Sequence, residues 1–437
     1  MLLRVILKNF LSFDNAEQFD MFPNNKRTSL SEHVMSVGGN IPVLKMAAIY
    51  GANGAGKSNL LKSLSFIKAF VNQKDFMDAD RISDFFFALK EDAGREPIGL
   101  TFEFTTPDDN AYIYSVEIAQ EGIVSEELYV SGLGNTSNSL VFKRTFNEIE
   151  YSGKLSSEIT GIIRGWIDKN PYSSLFTINN DMPVLTDSHI SRAQNWFDHG
   201  LVVIGLNSRN INLISILKEN HLVNAFANKL LHDIDLGING VRVQTENFED
   251  WITSHKLPAI SPDEIGMIRQ GYELSQLVDS RNTQSITVEK GIQKISQLIF
   301  EQFGRDGYLK DMTITQQSDG TVRLLSLAPA FYDAIRLGKT VIVDELDHSI
   351  HPSLVIGLIK FFTNNNAAGQ LIFTTHQTCL MNQDLMRADE MWLAEKKDGA
   401  THIYSINDFK IHHSIKIENG YLEGRYGAIP YIGESAI

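Results

Sequence analysis

The stretch that decides the fold is "AAIYGANGAGKSNLLKSL", which runs from Ala47 to Leu64. Small apolar residues lead into a glycine-rich segment, and leucines at helical spacing follow Lys57 and Ser58. This order predicts a β-strand, a tight loop and an α-helix. Residues 51–58 match the pattern G-x-x-x-x-G-K-S, in which backbone N–H groups and a helix N-terminus surround phosphate groups. The stretch therefore predicts a phosphate-binding loop for ATP.

The loop residues have separate predicted roles in this pattern. Lys57 is expected to reach the outer phosphates, and Ser58 is expected to hold Mg²⁺. The glycines allow the backbone to approach the phosphates closely. The predicted nucleotide-binding residues of this loop are Gly51, Ala52, Asn53, Gly54, Ala55, Gly56, Lys57, Ser58 and Asn59.

Composition limits the class of protein. The chain has 437 residues, of which 43% are hydrophobic and 21% charged, so a folded protein of two or three domains is expected. The single cysteine, Cys379, cannot form an internal disulfide, and Arg4 and Lys8 interrupt the apolar N-terminus. A cytoplasmic protein without a membrane segment is expected. The formal charge of −14 opposes sequence-independent nucleic-acid binding and favours a protein partner or a basic ligand.

The pattern of hydrophobic residues changes twice along the chain. Residues 1–150 contain the phosphate loop and several alternating segments that predict an antiparallel β-subdomain. Residues 151–305 place apolar side chains three and four positions apart, which predicts a mainly helical insertion. The segment "VEKGIQKISQLIFEQF", residues 288–303, is interpreted as one of these helices. Residues 306–437 return to short apolar runs that predict buried parallel strands.

Two acids follow one of these strands, in "TVIVDELD". Asp344 is expected to bind Mg²⁺, and Glu345 is expected to orient the water that attacks the γ-phosphate or to accept its proton. Far more chain separates Asp344 from Lys57 than one crossover connection needs. This spacing favours an ABC-type head over a compact GTPase or kinase.

A second predicted phosphate-binding end lies in "QQSDGTVRLL". Ser318 supplies a hydroxyl, Gly320 permits close backbone approach, and a helix is predicted to open near Thr321. Because the phosphates already have one loop, the second end predicts a nucleotide sandwiched between two copies of the chain. His376, at the end of "TTH", is expected to contact the γ-phosphate or steer the attacking water.

At these motifs the sequence resembles the ABC-type ATPase superfamily, especially the Rad50 and SMC heads and, more closely, the AAA15-type (RloA/AbiL-like) ATPases. The resemblance covers roughly residues 1–130 and 316–437. It is carried by "RVILKNFLSF", "SDGTVRLL", "DELDHSIHP" and "YLEGRYGAIP". It implies an α/β fold, namely an ABC-type P-loop ATPase head with an antiparallel β-subdomain. It also implies that the protein uses ATP and Mg²⁺. Asp347 would be the D-loop acid that touches the opposite subunit.

Members of that group include the ATPase subunits of PARIS-type anti-phage defence systems, which are paired with a separately encoded effector, often a Toprim-like nuclease. The resemblance thus implies a regulatory ATPase in abortive infection, a homo-oligomer that holds and releases a toxic partner and answers to a phage-encoded trigger. Two alternatives stay open: a Rad50-like ATPase that acts on DNA, and a stand-alone metabolic NTPase. A metal site formed by His348, His351 and His376 is disfavoured, since a His-Pro pair after the D-loop is a family feature and no cysteine accompanies it.

Overall fold

The computed structural model describes residues 1–38, 41–146, 148–206, 213–234, 236–254, 262–270, 284–289, 291–410 and 416–430. The chain forms two compact units. The first unit comprises Met1–Gly205, Ala334–Leu346 and Asn366–Ile437, and the second comprises Leu206–Asp333 and Asp347–Asn365. Within the described ranges, none of the helices has the length and apolar character needed to cross a membrane.

Strands and helices alternate along the chain in groups. The strands are β1 (Leu2–Lys8), β2 (Glu17–Asp20), β3 (Val34–Val37), β4 (Ile41–Leu44), β5 (Met46–Tyr50), β6 (Ile98–Thr105), β7 (Ala111–Ala119), β8 (Gly122–Val130), β9 (Ser139–Thr145), β10 (Ile149–Tyr151), β11 (Leu201–Ile204), β12 (Ile238–Asn247), β13 (Gln284–Glu289), β14 (Ile292–Phe303), β15 (Leu309–Thr313), β16 (Thr340–Val343), β17 (Gln370–Thr374), β18 (Met391–Lys397) and β19 (Ala400–Ser405). The helices are α1 (Lys57–Asn72), α2 (Ala79–Ser83), α3 (Ser157–Lys169), α4 (Leu175–Asp181), α5 (Ser188–Asn195), α6 (Leu213–Glu219), α7 (His221–Asp233), α8 (Phe248–Ser254), α9 (Pro262–Arg269), α10 (Asp319–Arg336), α11 (Pro352–Asn364) and α12 (Ile417–Leu422).

A mostly parallel sheet forms one layer of the first unit, in the order β11-β16-β17-β5-β18-β19. All neighbouring pairs are parallel except β18 with β19. The strands β5, β16 and β17 are buried at every position, as expected for strands covered on both faces. Because β5, β16 and β17 are parallel neighbours, the segments that follow them emerge at one edge of the sheet.

An antiparallel sheet forms the other layer, in the order β10-β9-β8-β7-β6-β1-β2. Its strands come almost entirely from residues 1–150, where the antiparallel β-subdomain was predicted, and aromatic side chains such as Phe102, Phe104 and Tyr114 fill its buried face. In the parallel sheet, β17 lies between β16 and β5, the strand that precedes the phosphate loop. The parallel and antiparallel sheets together confirm the predicted α/β fold with an antiparallel β-subdomain.

The C-terminal motif "YLEGRYGAIP" folds against the end of the parallel sheet. The ring of Tyr421 lies 6.2 Å from that of Tyr50, the last residue of β5. Gly427 has a φ of 72°, and a Cβ atom there would lie 2.7 Å from Tyr404 Oη. Tyr404 in turn donates to the carbonyl oxygen of Tyr426 at 2.9 Å. The motif is therefore a packed element that contacts β5 and β19.

The second unit contains a sheet where helices were predicted. Strands β12, β14 and β13 pair in that order, and β15 pairs with β14. The interpretation of residues 288–303 as a helix is therefore wrong. Isoleucine and phenylalanine fit a strand that is paired on both sides, and Gly291, with a φ of 78°, lies in the turn that precedes β14. Helices α6 and α7 both contact β12, so this unit is mixed in composition.

Candidate nucleotide site

The predicted phosphate loop lies between β5 and α1. Lys57 is the first residue of α1 and is only 6% exposed. Its Nζ atom donates to the carbonyl oxygen of Gly51 at 2.7 Å and to that of Ala52 at 3.0 Å. The ammonium group is thus held across the mouth of the loop, where the pattern places the outer phosphates.

At two loop positions, both the backbone conformation and the close approach of neighbouring atoms require glycine. Gly51 has a φ of 151°, and a Cβ atom there would lie 2.3 Å from the carbonyl oxygen of Ala394 in β18. Gly56 has a φ of 97° and precedes α1 as its N-cap. A Cβ atom at Gly56 would lie 2.0 Å from Thr401 Oγ1. Strands β18 and β19 therefore approach the loop so closely that no side chain fits at either position.

Four polar groups meet where β16 and β17 end. Ser58 Oγ donates to Asp344 Oδ1 at 3.1 Å, and Thr374 Oγ1 donates to the same oxygen at 2.6 Å. The N–H of Glu345 donates to Thr374 Oγ1 at 2.7 Å. Glu345 adopts the left-handed backbone conformation, with a φ of 47°. Thr374 therefore links the two acids, and sequence analysis did not assign it a role.

The chemistry of this cluster suits a magnesium ion. Mg²⁺ prefers oxygen ligands and is bound in proteins by few carboxylates together with water and substrate phosphates. Ser58 Oγ and Asp344 Oδ1 provide a hydroxyl and a carboxylate side by side beside the phosphate loop. Asp344 is 9% exposed, so its charge lies in a partly desolvated place where a cation is favoured. These two residues would hold the ion, and the ion would neutralise phosphate charge.

His376 follows β17 by two residues and is exposed. The phosphate loop, Glu345 and His376 thus follow β5, β16 and β17, and the three strands are adjacent and parallel. This arrangement brings the predicted water-orienting acid and the predicted histidine to the edge that carries the loop. Their catalytic roles stay predictions.

The remaining predicted site residues belong to the second unit. Ser318 Oγ accepts a hydrogen bond from the N–H of Thr321 at 3.1 Å and thereby caps α10. Gly320 lies against the predicted D-loop, since a Cβ atom there would be 2.7 Å from the carbonyl oxygen of Ser349. Asp347 begins that predicted loop, and its backbone carbonyl oxygen accepts a hydrogen bond from the N–H of Ile350 at 3.0 Å. The predicted second phosphate-binding end and the predicted D-loop are therefore neighbours within the second unit.

The fold and the phosphate loop define a P-loop ATPase domain. The chain belongs to the family described as "AAA domain, putative AbiEii toxin, Type IV TA system", whose model matches residues 46–382. None of the curated proteins matches the chain.

Several solved structures of SMC heads are similar to the chain. One is an SMC head bound to the C-winged helix domain of ScpA, with 14% identity, 96% of this chain and 99% of that chain covered, and a TM-score of 0.48. The SMC head domain from Thermotoga maritima has 14% identity, coverage of 92% and 98%, and a TM-score of 0.43. An SMC head with an extended coiled coil, bound to the C-terminal domain of ScpA derived from Pyrococcus furiosus, has 12% identity, coverage of 97% and 98%, and a TM-score of 0.47.

Proposed function

We propose that the protein is an ATP-hydrolysing regulatory subunit of a bacterial anti-phage system of the abortive-infection type. In this proposal ATP drives assembly of at least two copies of the chain, and the assembly holds a separately encoded toxic effector. A phage-encoded trigger releases that effector, for which a Toprim-like nuclease is the expected class.

The observation that carries the nucleotide part is the cluster of Ser58, Asp344, Thr374 and Glu345 beside Lys57 and its loop. Phosphoryl transfer requires the protein mainly to position groups and neutralise charge. Lys57 would supply a cation, Ser58 and Asp344 would bind the metal ion, and Glu345 would supply an acid. The defence context is supported by the family description, which refers to a toxin and a toxin–antitoxin system. The AAA15-like motifs favour the regulatory part over a toxin acting alone.

The test combines a phage challenge with biochemistry of the same variants. Bacteria that carry the gene and its neighbouring effector gene are infected, and plaque counts are compared for the wild type, Lys57→Ala and Lys62→Ala. Lys62 lies on the same helix but is exposed, so Lys62→Ala removes the same charge away from the loop. We expect Lys57→Ala to lose ATP binding and protection and Lys62→Ala to keep both.

A third variant separates binding from hydrolysis. Glu345→Gln removes the predicted base but keeps the pocket, so we expect it to bind ATP, stay assembled and retain the effector in a pull-down. Full protection by Lys57→Ala would contradict the proposal that the ATP site controls defence. Equal loss of ATP binding in Glu345→Gln and Lys57→Ala would contradict the assigned roles.

A further inference from the structure

A threonine far along the chain contacts the backbone of the phosphate loop. Thr401, in β19, is 1% exposed. Its Oγ1 atom donates to the carbonyl oxygen of Ala55 at 2.9 Å and to Ser12 Oγ at 2.7 Å, and these two acceptors share its single proton. Ser12 Oγ also accepts a hydrogen bond from Asn59 Nδ2 at 2.8 Å. The backbone carbonyl oxygen of Ser12 accepts a hydrogen bond from the N–H of Thr401 at 2.7 Å. The second half of the loop is thus tied to β19, directly at Ala55 and through Ser12 at Asn59.

The hydrogen bond to Ala55 fixes the orientation of a whole peptide unit. The carbonyl of Ala55 and the N–H of Gly56 belong to one peptide unit, which is planar, so fixing the direction of the carbonyl fixes the opposite direction of the N–H. That N–H is among the donors that the loop pattern offers to phosphate. The left-handed φ of 97° at Gly56 and its close approach to Thr401 leave the peptide little room to rotate.

We propose that Thr401 is a positioning residue for nucleotide binding: its hydroxyl orients the Ala55–Gly56 peptide toward the phosphates, and Ser12 keeps that hydroxyl in place. The inference rests on the proposed nucleotide-binding function of the loop. It assigns a role in that site to the hairpin of β18 and β19, which carries none of the predicted site motifs.

The test measures ATP affinity and thermal stability of four variants of the full chain. Thr401→Val keeps the shape but removes the hydroxyl, and Thr401→Ser keeps the hydroxyl. Thr340→Val is the matched control, because Thr340 is also fully buried and its Oγ1 donates to Gln370 Oε1 at 3.0 Å at the start of β16, the end opposite the phosphate loop. Lys57→Ala reports whether the loop binds ATP at all.

We expect Thr401→Val to weaken ATP binding about tenfold, which corresponds to one lost hydrogen bond of about 1.4 kcal/mol. Thr401→Ser should bind within about twofold of the wild type, and Thr340→Val should lower the melting temperature without changing ATP affinity. If Thr401→Val does not fold, Thr401→Ala takes its place with the same expectation.

Wild-type ATP affinity in Thr401→Val, with Lys57→Ala inactive in binding, would overturn the positioning role and leave the nucleotide site intact. Equal weakening by Thr340→Val and Thr401→Val would also overturn it, because the effect would then be a general loss of stability. Unchanged ATP affinity in Lys57→Ala would instead reject the nucleotide-binding function on which the inference rests.

Discussion

Arg144 is a buried cation that holds the antiparallel sheet to the segment that follows it. It is 1% exposed, and its Nη1 atom lies 3.6 Å from Glu126 Oε2 and donates to the carbonyl oxygen of Ser173 at 2.7 Å. Glu126, which is fully buried, accepts from Tyr114 Oη at 2.9 Å and from the N–H of Leu175 at 2.9 Å. Leu175 is the first residue of α4, so this network anchors the start of α4 on β8 and β9.

Replacing Arg144 with methionine keeps the packing of the aliphatic part of the side chain but removes the guanidinium group. Glu126 is then left without its cation. Removing one partner of a buried ion pair costs about 3–5 kcal/mol. For a unit of this size we expect the melting temperature to fall by on the order of 10 °C.

The loss should depend on pH. Burial raises the pKa of Glu126, and Arg144 is the strongest influence that lowers it. Without Arg144 the folded-state pKa rises further above its unfolded value, so the folded variant binds more protons than the unfolded chain. The stability of Arg144→Met should therefore decrease as the pH rises above the unfolded-state pKa of Glu126, and its deficit should be larger at pH 8 than at pH 5.

The assay is thermal and guanidinium unfolding of the full chain at both pH values, with two controls. Lys143→Met removes a partly exposed ion pair with Glu127, whose Nζ–Oε1 distance is 2.6 Å, and should destabilise the protein much less than Arg144→Met does. In the double variant Arg144→Met, Glu126→Gln, the amide oxygen still accepts from Tyr114 and Leu175 and no charge is buried, so part of the stability should return. A cost below about 1 kcal/mol for Arg144→Met, or no recovery in the double variant, would show that Arg144 does not stabilise the buried Glu126 carboxylate.

Two other predictions concern the second unit and nucleic acid. Gly320→Ala should lower ATPase activity while ATP binding by the phosphate loop is kept, because the new Cβ atom would lie 2.7 Å from the carbonyl oxygen of Ser349 and displace the D-loop. Gly357→Ala in α11 is the control, since a Cβ atom there meets nothing within 4 Å, and full activity of Gly320→Ala would contradict the argument. Duplex DNA should bind weakly and with steep salt dependence because the net charge is −14, as a filter-binding titration can show. Tight binding at physiological salt would favour the Rad50-like alternative.

The parts of the fold that sequence analysis predicted are those with strong local signals. The continuous apolar runs of β16 and β17 indicated buried parallel strands, and the structure has them. The loop pattern of residues 51–58 placed a strand before the loop and a helix after it, as observed in β5 and α1. The phosphate loop follows β5 and Asp344 follows β16, and the ends of these two strands lie at the same edge of the sheet. The structure therefore also brings Ser58 and Asp344 together from distant parts of the chain.

The parts that were not predicted depend on tertiary contacts. In β14, residues Ile295, Leu298 and Ile299 have the spacing of a helix face, and pairing with β12, β13 and β15 decides in favour of a strand. The roles of Thr374 and Thr401 could not be found by pattern, because each acts through a hydroxyl on an atom from another strand or loop. A single buried threonine has no distinguishing signal in the sequence.

Under the proposed function, ATP is hydrolysed at a site that two copies of the chain share. The most direct measurement is the ATPase activity of a mixture of Lys57→Ala and Ser318→Arg proteins, each inactive alone, with subunit exchange verified by labelled chains. In a mixed dimer one composite site carries both defects and the other carries neither, so we expect part of the activity to return. Exchange without any return of activity would contradict a shared site.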